Sequence, residues 1–297
     1  MSSFRYRLAL AFAVQLGLAG FGCSDDAPTE GFPVEGSGFI ASKIVVDGVD
    51  RNVELYLPNG RQAGAPLVIV CHGTDGKAKD AIGDAAGDQL AEAQKAVVVA
   101  PQARKMPAGD WDQHGPGQVY FETHPNLTVA NNNDLKLIQT IIDQAKQAYA
   151  IDEKRIYVVG YSNGAFFAQF VAMALPDRVA AFASVAGGLV RCDGTDSCNF
   201  RGSASNCADL ASAAGWCSCA GADKPIAAST SVNKPAAFLF HAADDDAVSV
   251  YYTCELADRL GDLNYDVTTV IRPTGGHAWP DGFLQSLWPS LSKRSLP

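Results

Sequence analysis

The chain has 297 residues and sets 23 Lys+Arg against 32 Asp+Glu, a formal charge of −9 at pH 7. This acidic balance argues against general phosphate-backbone binding, which needs clustered basic side chains to displace counterions. A hydrophobic fraction of 47% excludes wholesale disorder, and the length allows one large domain or two small ones.

At the N-terminus, Arg5 and Arg7 precede the uncharged run Leu8 to Phe21. That run is too short for a membrane span, which takes about 20 apolar residues. Residues 1–22 therefore read as a cleaved secretory signal. Cys23, followed by Ser-Asp-Asp, resembles the acceptor cysteine of a bacterial lipoprotein, although Gly20 stands where an aliphatic residue is usual. Lipid attachment at Cys23 and free secretion are both open, and the expected location is outside the cell or on the outer envelope of a bacterium. Residues 23–38, rich in Asp, Glu, Pro, Gly and Ser, read as a flexible tether.

From Phe39 onward, strand-like runs alternate with helix-like stretches. The runs are Lys43 to Val46, Val53 to Leu57, Leu67 to Cys71, Ala96 to Ala100, Arg155 to Gly160, Phe182 to Ala186, Pro235 to His241 and Asp266 to Ile271. Many are continuously apolar, as strands covered on both faces must be. Between them Leu135, Leu137, Ile138, Ile141, Ile142 and Ala145 share one helical face, with Asn133 or Asp134 as the cap. Such alternation implies an α/β fold whose sheet is mainly parallel, with an opening hairpin and helices on both faces. Residues 188–234 interrupt it with Gly, Ser, Ala and the cysteines 192, 198, 207, 217 and 219. A break of this length reads as a disulfide-rich insertion near the site. Cys71 lies in an apolar run and is expected to be a buried thiol. Setting it and Cys23 aside leaves the five insertion cysteines and Cys254, enough for three bridges in fifteen possible connectivities. A zinc site is not expected: the insertion has neither a C-x-x-C pair nor a histidine.

The chemistry centres on Gly160-Tyr161-Ser162-Asn163-Gly164, which follows the apolar run Ile156 to Val159 and precedes a helical pattern, Ala165 to Leu175. This is a G-x-S-x-G nucleophile elbow in strand–turn–helix context, and Ser162 is the expected nucleophile. A serine hydroxyl needs a base, and in sites of this kind the acid and the histidine follow the serine in that order. Of the histidines, only His277 lies in a glycine-containing loop after the last apolar run, in Gly275-Gly276-His277-Ala278-Trp279-Pro280. The acid belongs to the loop after Phe238-Leu239-Phe240-His241, where Asp244, Asp245 and Asp246 are equal candidates. The Asn163 amide is the expected first oxyanion donor. The Thr74 amide, in the turn His72-Gly73-Thr74-Asp75-Gly76, is the expected second.

Taken together, the chain resembles the secreted α/β-hydrolases that include feruloyl esterases and poly(3-hydroxybutyrate) depolymerases. The segments that carry this are RNVELYLP (51–58), PLVIVCHG (66–73), DEKRIYVVGYSNGA (152–165), residues 241–248 and GGHAWP (275–280). The resemblance implies an α/β-hydrolase catalytic domain over 39–297. The family's acid motif, H-G-x-x-D-x-x-V-P, selects Asp245 when laid on residues 241–249, with Ala242 and Ser249 departing from it. It implies ester hydrolysis by Ser162, His277 and Asp245, without cofactor or metal. Trp111, Tyr120, Phe121 and Trp279 either pack in the core, as aromatics more often do, or line an aromatic pocket, with Trp279 and Trp111 as the candidate substrate contacts. The favoured substrates are feruloyl or acetyl esters of plant cell-wall polysaccharide, and polyhydroxyalkanoate (polyester) oligomers come second. A reading of another class is a non-catalytic envelope lipoprotein on a hydrolase scaffold. The chain is expected to be a monomer, to bind no nucleic acid, and to touch a membrane only through an N-terminal lipid.

Overall fold

The computed structural model describes residues 29–106, 117–123, 128–189, 202, 204–211 and 232–297. The chain runs β1 (Thr29–Glu30), β2 (Gly38–Val46), β3 (Val49–Leu57), β4 (Leu67–Cys71), α1 (Ala78–Asp84), α2 (Gly87–Gln94), β5 (Val97–Pro101) and α3 (Asn133–Tyr149). It continues through β6 (Ile156–Tyr161), α4 (Asn163–Ala174), β7 (Ala181–Val185), α5 (Cys207–Ala211), β8 (Ala236–Ala242), α6 (Tyr251–Asp262), β9 (Val267–Arg272) and α7 (Phe283–Leu291). The strands form one sheet in the order β1-β2-β3-β5-β4-β6-β7-β8-β9.

β2 and β3 form the expected hairpin. Val46 pairs with Val49 across Asp47-Gly48, whose φ values of 51° and 77° are the double positive pair of a type I′ turn. β5, β4, β6, β7, β8 and β9 are parallel to one another. Every residue of β4, β5 and β7 is buried, because helices cover both faces. On one face α3, α4 and α6 contribute Ile138, Phe167, Phe170 and Leu260 to the core. On the other, α1, α2 and α7 contribute Ile82, Leu90, Phe283 and Leu287. The mainly parallel, doubly covered sheet is as expected.

Three local expectations are corrected. The tether was expected to reach residue 38, but Thr29–Glu30 pairs in parallel with Ser42 and Lys43. Phe32 then stacks on Tyr149 at 5.9 Å, whose hydroxyl donates to the Pro33 carbonyl at 2.9 Å. One aromatic with a groove to fill outweighs the polar composition around it. Second, α3 is capped by Asn132, one residue before the expected pair, its side chain accepting from the Asp134 and Leu135 amides at 2.9 Å. Third, α4 begins directly after Ser162 and not at Ala165.

Of the cysteines expected to bridge, Cys207 and Cys254 are joined, with Cα atoms 5.5 Å apart. Cys192, Cys198, Cys217 and Cys219 lie outside the described residues, as do the proposed signal and Cys23. The bridge fastens α5 to α6, and the Gly202 amide donates to the Ala243 carbonyl at 3.0 Å, so the described part of the insertion sits against the loop after β8. Cys71 is free and buried, as expected, and burial raises its thiol pKa far above the ordinary range. No helix among the described residues is long and apolar enough to cross a membrane.

Candidate active site

Ser162 joins β6 to α4 with φ 53° and ψ −123°, a region that costs a non-glycine residue about 1–3 kcal/mol. The flanking glycines explain how the turn is reached. A Cβ on Gly160 would lie 1.9 Å from the Gly164 carbonyl oxygen, and one on Gly164 would lie 2.3 Å from the Cys71 oxygen. Only bare backbone lets the first turn of α4 rest on the ends of β4 and β6. The Ser162 amide donates to the Val185 carbonyl at 2.9 Å, which ties the elbow to β7.

The next residue, Asn163, contributes in two ways. Its amide belongs to the first turn of α4, whose N–H groups have no partner within the helix. Its buried side chain accepts from the Phe121 amide at 2.8 Å and donates to the Phe121 carbonyl. Thr74 is half-buried in the loop after β4. The preceding residue, Gly73, is so close to the serine that a Cβ there would lie 3.1 Å from Ser162 Cβ.

The loops after β8 and β9 bring the other expected groups to the serine. His277 Nε2 lies 2.9 Å from Ser162 Oγ, and its Nδ1 lies 2.7 Å from Asp245 Oδ2. The Asp245 side chain is fully buried, whereas that of His277 is 19% exposed. Burial alone would raise the Asp245 pKa. Hydrogen bonds from His241, His277 and the Val248 and Ala247 amides outweigh it and hold the carboxyl well below the ordinary carboxylate range. An ionised Asp245 can only accept, so Nδ1 keeps its hydrogen and donates to it, which leaves the Nε2 lone pair facing the serine hydroxyl.

Several contacts not anticipated from the sequence hold this arrangement. The Tyr161 hydroxyl donates to the His277 carbonyl at 2.7 Å, and its ring lies 4.9 Å from the imidazole. Asp244 accepts from the Gly276 amide at 2.8 Å, which anchors the histidine loop to the acid loop. His241 Nε2 approaches Asp245 Oδ2 at 3.2 Å. Tyr161 lies inside the elbow motif and Asp244 inside the acidic triplet, but no pattern shows which atoms they meet.

The aromatic expectations divide. Tyr120 and Phe121 are buried in the core, and Phe121 stacks on Phe167 at 4.6 Å. Their packing, not a ligand, accounts for them, so for these two the core reading holds. Trp279 is half-buried, stacked on Tyr161 at 5.5 Å, and it borders a cavity of about 50 Å³ beneath the histidine loop with Phe240 and Arg272. Trp111 lies outside the described residues. Among the described residues no three His, Cys, Asp or Glu side chains converge as a metal site would require.

The family model described as "Putative esterase" matches residues 46–283. The chain is 28% identical over 140 residues to a bifunctional acetylxylan esterase/xylanase of Neocallimastix patriciarum, a match covering 47% of this chain and 18% of that one. It is 30% identical over 138 residues to poly(3-hydroxyalkanoate) depolymerase C of Paucimonas lemoignei, covering 46% of this chain and 31% of the other. It thus spans less than a third of either protein's length. Among solved structures, acetyl xylan esterase from Aspergillus awamori superposes with a TM-score of 0.62 at 17% identity, over 84% of this chain and 99% of that one. That likeness speaks to the fold, which is the α/β-hydrolase fold.

Proposed function

Since the chain belongs to the esterase family whose model spans most of its length, and is a hydrolase of the carboxylesterase type, we propose that it is an exported serine carboxylesterase acting through an acyl-enzyme. One observation carries the mechanism: an unbroken line of hydrogen bonds from Ser162 Oγ through His277 to Asp245. Ser162 attacks the ester carbonyl while His277 Nε2 takes its proton, and Asp245 steadies the imidazolium that forms. The Asn163 amide and the Thr74 amide receive the oxyanion, each such donor contributing about 3–4 kcal/mol to the transition state. His277 then protonates the departing alcohol and activates water against the acyl-enzyme.

For the substrate, acetyl or feruloyl esters of plant polysaccharide are the first choice, supported by the acetylxylan esterase relative. The depolymerase relative supports a second reading, hydrolysis of hydroxyalkanoate oligomers. Export is supported by the apolar N-terminal run and by the disulfide, which oxidising compartments favour.

A fluorophosphonate probe should label Ser162 in the folded protein and fail to label Ser162→Ala. Absence of labelling in folded wild-type protein would overturn the catalytic reading, in favour of a binding protein on a hydrolase scaffold. Release rates from acetylated xylan, methyl ferulate and hydroxybutyrate oligomers, compared on one preparation, then rank the substrates. Activity should fall on acidification, because the mechanism needs an unprotonated base. A flat acylation profile between about pH 5 and 8 would count against His277 as the base.

A further inference from the structure

The catalytic reading uses one imidazole, yet Asp245 Oδ2 meets two. His241, near the end of β8, has a fully buried side chain, and its Nε2 lies 3.2 Å from Asp245 Oδ2 and 2.9 Å from the Val248 carbonyl oxygen. Both neighbours only accept, since the carboxylate is ionised and a carbonyl has no proton, so Nε2 carries hydrogen.

The other ring nitrogen settles the charge. His241 Nδ1 lies 2.7 Å from Thr253 Oγ1, and the Thr253 hydroxyl lies 2.5 Å from the Gly187 carbonyl oxygen. A threonine hydroxyl has one proton. If it went to Nδ1, two oxygens would face each other at 2.5 Å with nothing between them. It therefore goes to Gly187, and Nδ1 must donate to Thr253. Both ring nitrogens of His241 are then donors.

We propose that His241 is a positioning residue of this site, held as an imidazolium paired with Asp245, and that it limits how strongly Asp245 pulls on His277. The proposal rests on reading Ser162, His277 and Asp245 as the catalytic groups. The groups facing the ring come from each element packed around it. They are Asp245 and the Val248 carbonyl from the acid loop, Thr253 from α6, and the Gly187 carbonyl from the segment after β7. Arg272 of β9 borders the same small cavity, and His277 lies across Asp245.

A charge count shows what the second imidazole contributes. Before attack, His241 positive and Asp245 negative leave the buried pair neutral. In the tetrahedral intermediate His277 gains a positive charge and the oxyanion a negative one, so the site stays neutral. With a neutral His241, the site would carry one uncompensated negative charge at both stages, in a region where unpaired charge is costly. Sharing one oxygen between two donors also weakens its hold on the His277 proton. The depressed Asp245 pKa, to which the His241 hydrogen bond contributes, is consistent with such a pair.

Two measurements test this. Nitrogen-15 NMR of wild-type protein should show both ring nitrogens of His241 protonated at about pH 7.5, the ring being assigned through its contact with Thr253. His241→Gln keeps a donor without the charge, and its kcat/KM acid limb should move up by about one pH unit. A ring nitrogen without its proton overturns the proposal, as does an unshifted acid limb in a variant that melts like wild type. If the variant fails to fold, the NMR result decides alone. Failure of the catalytic reading is distinguishable, because it appears as absent probe labelling of Ser162 and leaves the protonation of His241 unchanged.

Discussion

Of three successive aspartates, Asp245 alone is buried, with two imidazoles and two amides on its carboxylate, while Asp244 holds the Gly276 amide and Asp246 is exposed. Substitution should separate them sharply. In Asp245→Asn the amide can present its NH2 to His277, favouring the wrong tautomer, and kcat should fall by about 10³–10⁴-fold. Asp244→Asn keeps an acceptor for Gly276 and should lose no more than about tenfold, through a loosened histidine loop. Turnover of p-nitrophenyl acetate measures this, and equal losses at both positions would refute the assignment. The sequence alone left the triplet open because its members differ only in what folds against them. The family motif points to Asp245, and Asp245 is the one that meets His277.

At the scale of elements, the nucleophile strand and its helix were legible, since a continuous apolar run and a glycine-flanked serine are local patterns. The cap of α3 was not. Asn132, Asn133 and Asp134 are all good caps, and the choice was made by partners far away in the chain. Asp134 is drawn into a buried pair with Arg51 and also accepts from the Glu122 amide at 2.8 Å. Asn132 caps the helix and donates to the Glu122 carbonyl at 3.1 Å. Asn132→Ala therefore loses the cap and orphans a carbonyl, and should cost about 2–3 kcal/mol in denaturant melts. Asn133→Ala should be close to neutral. The docking of residues 29–33 was hidden for the same reason: Phe32 finds Tyr149 only after α3 is in place.

For the whole molecule, two buried groups with depressed pKa values each make acid destabilising, in separate ranges. Burial lowers the His72 pKa below its ordinary value. The unfolded chain therefore binds the extra proton first, and stability falls as pH drops below about 6.5. The depressed Asp245 pKa acts further down: its contribution is complete above about pH 4 and is lost as pH falls toward the folded value. Melting temperatures of the wild type should thus decline from about pH 6.5 to 5 and again below about 4. The upper decline should shrink in His72→Gln, and an undiminished decline would assign it to another group. The buried cysteine of β4 has a different consequence, which concerns the order of events in maturation. Cys71 is inert only once β4 is covered on both faces; in the nascent chain it competes for the same partners as Cys207 and Cys254. Covering β4 on both faces thus takes one competing thiol out of exchange with the Cys207–Cys254 bridge.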